Sequence, residues 1–118
     1  IKDHIDKSLV IVRTEELVSH AIERLKKYNI SQIPVIDTTG FVGSIDETDL
    51  FRSYVEDKNI AEKPIREIMG KPYPIVNANA PIEEISKLIN KDNQAVLVDL
   101  GNGKHHIITK HDIISSIK

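Results

Sequence analysis

Residues 43 to 51 read GSIDETDLF and residues 106 to 114 read HIITKHDII. Each places apolar residues, a helix-capping position, two arbitrary residues, an aspartate and a further apolar pair in the same order. The match extends upstream. The run QIPVID finds its partner in QAVLVD, and the turn DTTG in LGNGK. Val12 falls on Val76, 64 residues on, while Asp49 falls on Asp112 at 63 and Gln32 on Gln94 at 62. This internal repeat is the strongest constraint on the fold. A unit of about 60 residues buries too little apolar surface to stand well alone, so two copies are expected to complete each other. The repeats divide as residues 1–58 and 59–118.

Periodicity assigns the elements within each copy. In TEELVSHAIERLKKYN, Val18, Ala21, Ile22 and Leu25 share a stripe at helical spacing, with most of the charges off it. IPVID and FVGSI read as strands joined by a tight turn, and Asp46 caps a helix carrying Leu50, Phe51, Tyr54 and Val55. From Pro64 the order begins again. PIREIMG makes a helical turn ended by Gly70, YPIVN a strand, and PIEEISKLIN a helix with Pro81 at its first position. QAVLVD and HHIIT then form a hairpin, and KHDIISSI the last helix. The fold class is α/β: two β-α-β-β-α repeats packed sheet to sheet with pseudo-twofold symmetry. The charged run EDKNIAEK, residues 56–63, reads as a solvated linker.

Composition narrows the function. With two Phe, three Tyr and no Trp, the core is aliphatic. A net charge of -2 and a single adjacent basic pair, Lys26-Lys27, supply no field for a polyphosphate backbone, so nucleic acid is not an expected partner. The absence of cysteine removes thiolate metal sites and a cysteine nucleophile. No apolar run approaches the roughly 18 residues of a membrane span, and the start IKDHIDKSLV has no signal-like character. A cytoplasmic fragment of a longer chain is expected. No phosphate loop of the GxxxxGK[ST] type and no nucleophile motif occurs, so the chain reads as a non-enzyme with no cofactor of its own.

Taken together, ISQIPVID with GSIDETDLF, and DNQAVLVD with HIITKHDII, resemble the tandem cystathionine β-synthase (CBS) domain pair, or Bateman module. The resemblance covers nearly the whole chain. Copy two is also similar to the regulatory tail of pyridoxal-phosphate-dependent cystathionine β-synthases. It implies a regulatory module that binds an adenosine-containing ligand, S-adenosylmethionine or AMP, ADP or ATP, and controls an attached or partner catalytic domain. Carried over by position, Asp112 accepts hydrogen bonds from the two ribose hydroxyls, and Thr109 faces the polar tail of the ligand. Lys110 and His111 add positive charge beside that tail, while Ile75, Val76, Gln94 and Ala95 sandwich the adenine. The second, weaker site comprises Asp49, Asp46, Val12 and Pro34. Asp46 stands where phosphate-binding relatives carry Thr or Ser, and its carboxylate opposes an anionic tail. In copy two, the usual glycine of the second strand is His106.

The same residues admit plainer uses. Thr109-x-x-Asp112 is also a helix capping box, and Asp46-x-x-Asp49 approximates one. His105, His106 and His111 invite a metal reading, yet neighbours on a strand point to opposite faces, so no metal site is expected. Tyr73-Pro74 shapes the approach to the strand at Ile75. Leu50, Phe51, Ile113 and Ile114 are expected at a rim where two chains pair as a homodimer. A structural dimerisation module with empty, degenerate clefts is the competing function.

Overall fold

The computed structural model describes residues 9–90 and 93–117. They form two compact units, residues 10–72 and residues 73–117 with residue 9, each built in the same order. In the first, β1 (Val12–Arg13), α1 (Val18–Tyr28), β2 (Gln32–Asp37), β3 (Gly40–Asp46) and α2 (Glu47–Glu56) are followed by two 3-10 turns, Ile60–Glu62 and Ile65–Glu67. The second contains β4 (Ile75–Asn77), α3 (Ile82–Leu88), β5 (Ala95–Gly101), β6 (Lys104–Thr109) and α4 (Lys110–Ser115). Each sheet has three strands, ordered β1-β2-β3 and β4-β5-β6, with the first pairing parallel and the second antiparallel. The α/β class and the order of elements are as the repeat implies. Among the described residues, no helix is long and apolar enough to cross a membrane.

The hairpins follow from turn chemistry. Asp37 Oδ1 accepts the Thr39 amide at 2.7 Å and the Thr39 hydroxyl at 2.6 Å, and Gly40 then takes φ 127°, a conformation open to glycine. In the second hairpin, Asp99 Oδ1 accepts the Gly101 amide at 2.8 Å before Asn102 and Gly103, both at positive φ.

Burial follows the stripes. Val18, Ala21 and Leu25 of α1 pack with Val12, Ile33, Val35 and Ile45 of the sheet. Burying each larger aliphatic side chain contributes about 1.5–3 kcal/mol. In the second unit, Ile85 of α3 packs with Val96 and Val98, joined by the partly buried Val76, Ile108 and Ile113.

Three expectations need correction. Helix α1 begins at Val18 and not near Thr14, because Leu17 pairs with Pro64 as an isolated bridge and the Val18 amide donates to the Lys63 carbonyl at 2.9 Å. Residues 56–63 are more than a solvated linker: Ile60 is buried in the first core, and Lys63 pairs with Asp57 at 2.8 Å. The strand register also shifts by one. Gln32 lies opposite Asp46 and Ala95 opposite Thr109, so Gln32 corresponds to Ala95 and not to Gln94. Side chains alternate across a strand, so the shift keeps Ile33 and Val96 on the core face.

Candidate functional site

Each second strand ends where a helix begins, and the two junctions differ in chemistry. At the β6–α4 junction, Thr109 is the N-cap. Its backbone amide donates to Asp112 Oδ2 at 2.8 Å and its hydroxyl to the same oxygen at 3.1 Å, while the Asp112 amide donates to Thr109 Oγ1 at 3.4 Å. The capping box is therefore formed. The first two of these bonds gather on one carboxylate oxygen, and Asp112 is exposed. Among the described residues it has no ion-pair partner within 4 Å.

Sheet register places the other expected residues of copy two. Ala95 is directly opposite Thr109, and Ile75 lies one strand further across, opposite Leu97. These three share a sheet face by alternation, with Ile75 half exposed and Ala95 fully buried. Val76 is turned to the other face, into the helix-covered core. Gln94 precedes β5 and is partly buried, and Lys110 and His111 are exposed in the first turn of α4. His105 and His106 lie opposite Asp99 and Val98 on successive positions of β6. Among the described residues, no group of three or more His, Asp or Glu side chains comes together to hold a metal ion.

At the β3–α2 junction, Asp46 caps the helix by accepting the Asp49 amide at 2.8 Å. Burial pushes the Asp46 carboxyl above its ordinary value; the Asp49 amide pulls it down, and the Asp49 charge adds to the rise. Asp49 Oδ1 is held by Arg52 at 2.9 Å. Ser115 of copy two occupies the position corresponding to Arg52, by the 63-residue offset of the Asp49–Asp112 match. Val12 and Pro34 are fully buried, Val12 in the helix-facing core and Pro34 opposite Ser44.

Sequence reasoning missed the cover over β3. Ser44 and Gly70 exchange backbone hydrogen bonds of 3.1 Å and 2.8 Å, and the Ser44 hydroxyl donates to the Lys71 carbonyl at 2.7 Å. A Cβ added at Gly43 would lie 2.5 Å from Met69 Sδ and 2.9 Å from the Gly70 carbonyl oxygen. Glycine is required by this close approach. The signal available was Gly43 itself, since an isolated glycine within a strand marks near contact with other backbone. Of the four expected rim residues, Phe51 and Ile114 are 70% and 58% exposed. Leu50 is buried in the first core and Ile113 packs against the second, because each points back at its sheet.

Two sheet-and-helix repeats, each ending in a capped aspartate junction, define a paired α/β module. The chain belongs to the CBS domain family, whose model matches residues 1–56 and 65–118. It is 30% identical over 115 residues to inosine-5'-monophosphate dehydrogenase of Methanocaldococcus jannaschii, covering 95% of this chain and only 22% of that enzyme. The fold is that of a CBS-domain-containing protein from Agrobacterium tumefaciens, with 19% identity, a TM-score of 0.81 and coverage of 98% and 97% of the two chains. A CBS domain pair solved with 5'-methylthioadenosine and S-adenosyl-L-methionine is similar at a TM-score of 0.76 and 24% identity, covering 98% of this chain and 96% of that one.

Proposed function

We propose that the chain is a regulatory, non-catalytic module that binds an adenosine-containing ligand, S-adenosylmethionine or AMP, ADP or ATP, at the β6–α4 junction. In this reading, residues 1–58 and 59–118 are the two repeats, and the module acts in the cytoplasm as a homodimer on an attached or partner catalytic domain. The observation that carries it is the state of Asp112. Its carboxylate is exposed, fixed by the capping box through one oxygen, and free of the basic neighbour that holds Asp49 in copy one. Hydrogen bonds from a ribose diol to such a carboxylate are worth roughly 1.5–3 kcal/mol each. Ile75 and Ala95, on the face shared with Thr109, supply apolar contacts for the base, with Gln94 beside them. Thr109, Lys110 and His111 serve the polar tail.

Copy one is the weaker site. A ribose must displace Arg52 from Asp49, and a phosphate tail meets the Asp46 carboxylate. The adenosine ligands of the similar CBS pair support the ligand class. A ligand that prefers one conformational state tenfold supplies about 1.4 kcal/mol for regulation.

Calorimetry with AMP, ATP and S-adenosylmethionine tests the reading. Asp112→Asn keeps an oxygen for the Thr109 amide but presents only that acceptor, so the unliganded melting temperature stays close to wild type while affinity falls about tenfold or more. Unchanged affinity overturns the role of Asp112. A structural dimerisation module is the second reading, favoured by exposed Phe51 and Ile114, and its mark is the absence of binding heat with all three ligands.

A further inference from the structure

Of the two hairpins, only the second turns through an asparagine followed by a glycine. Gly101 pairs with Lys104, which leaves Asn102 and Gly103 as a two-residue loop. Their φ values are 57° and 75°, with Gly101 at 88° before them. Positive φ at both central residues marks a type I′ turn, whose twist suits so short a connection. Asn102 and Gly103 are exposed, and a Cβ added at Gly103 would meet nothing within 4 Å. The first hairpin closes with Asp37 opposite Gly40 and has Thr38 and Thr39 between them.

An asparagine side chain is open to attack by the backbone nitrogen of the next residue. The Gly103 nitrogen bonds to Asn102 Cγ, the bond from Cγ to the side-chain nitrogen breaks, and that nitrogen leaves as ammonia with the proton given up by the Gly103 amide. A five-membered cyclic imide results. Solvent water then opens it at one of two carbonyls. Cleavage at the side-chain carbonyl gives aspartate with an ordinary backbone, whereas cleavage at the backbone carbonyl gives isoaspartate, with the main chain running through Cβ and Cγ. A side chain on the following residue crowds the attack, and glycine has none. The other six asparagines precede Ile30, Ile60, Ala78, Ala80, Lys91 and Gln94, so Asn102 alone is followed by glycine. Asn29 also has positive φ, at 53°, but the Ile30 amide after it donates to the Leu25 carbonyl at 3.1 Å.

The closed turn holds the reacting atoms apart. The first central residue of a type I′ turn has ψ of about +30°. At that angle the Gly103 nitrogen lies far round the Cα–C bond from Cβ, and ring closure needs the two nearly eclipsed. Such a rotation breaks the opposition of Gly101 and Lys104. We propose that Asn102 is a site of spontaneous deamidation, held unreactive by the closed β5–β6 turn and released when the turn opens. The isoaspartyl product adds one atom to the main chain. A two-residue loop has no slack for it, so the cross-strand register that sets Ala95 opposite Thr109 is loosened. The reaction needs no ligand, and it leaves a covalent record of each opening that went to completion.

Peptide mapping by mass spectrometry, after incubation of the full chain at mildly alkaline pH, tests both the site and its gate. In the urea-unfolded chain Asn102 converts first among the asparagines. In the folded chain it converts about tenfold or more slowly, because the rate follows the fraction of opened turn. Earlier conversion of another asparagine in urea overturns the site, and equal rates in the two states overturn the gate. Asn102→Asp carries the new charge on an ordinary backbone and serves as the control for the product. Isoaspartyl protein separated by chromatography melts about 4 °C or more below that variant. Coincident melting overturns the effect on the hairpin.

Discussion

β3 and β6 occupy the same place in their sheets and lead into the same kind of junction, yet their surroundings differ. β3 carries buried Gly43, Ser44 and Ile45 beneath Met69 and Gly70, whereas the corresponding His106, Ile107 and Ile108 are partly exposed. At the helix starts, Asp49 is tied to Arg52 while Asp112 takes part in a capping box and has no ion pair among the described residues. The two copies keep one frame and differ in the chemistry of their junctions. At one junction the helix aspartate is paired with Arg52, and the other keeps an accessible carboxylate.

Core truncation should expose this difference most strongly. Ile45→Ala empties a fully buried site and is expected to cost about 2–5 kcal/mol, with Ile108→Ala costing roughly half as much in urea denaturation. Equal losses would make the two sheets energetically alike.

Next in size is the close approach at β3. Gly43→Ala forces the Met69 segment to move and should cost about 1–3 kcal/mol. The partly exposed His106→Ala is expected to cost less than about 1 kcal/mol. A tolerated Gly43→Ala would show that the segment over β3 gives way freely.

The smallest effect is electrostatic. Asp46 has its folded-state value raised by burial, so its folded form holds the proton more tightly than the unfolded chain does. Its contribution to stability is fully present below the ordinary aspartate value of 3.8 and is lost as pH rises through the raised folded value. Relative to Asp46→Asn, wild type should lose stability over that window, whereas Thr109 at the matching cap contributes no such slope. Parallel pH profiles of the denaturation midpoint would remove this distinction.

Much of the frame was legible because its causes are local. Helical spacing marked α1, the Asp37 and Asp99 turns marked both hairpins, and Thr109 with Asp112 announced the capping box that forms. What escaped depends on distant partners. Nothing near Ile60 in a charged run signals that α1 will bury it, and the late start of α1 follows from bonds to Lys63 and Pro64. The offset at Gln32 was misjudged because an identical residue, Gln94, sits one place from the true counterpart, and only cross-strand pairing separates the two. Asp46 and Asp49 were visible as a pair, but the hold of Arg52 on Asp49 required the helix geometry that brings residues three apart together.

The brevity of the first strand in each copy has a consequence for self-association. An open sheet edge is a row of unpaired amides and carbonyls on which a foreign strand can build. β1 and β4, of 2 and 3 residues, offer too short a template to seed such growth. On the far side of the first sheet, the Ser44–Gly70 bridge interrupts the template midway along β3. Among the described elements, the burden of preventing fibre-like strand addition therefore falls on β6.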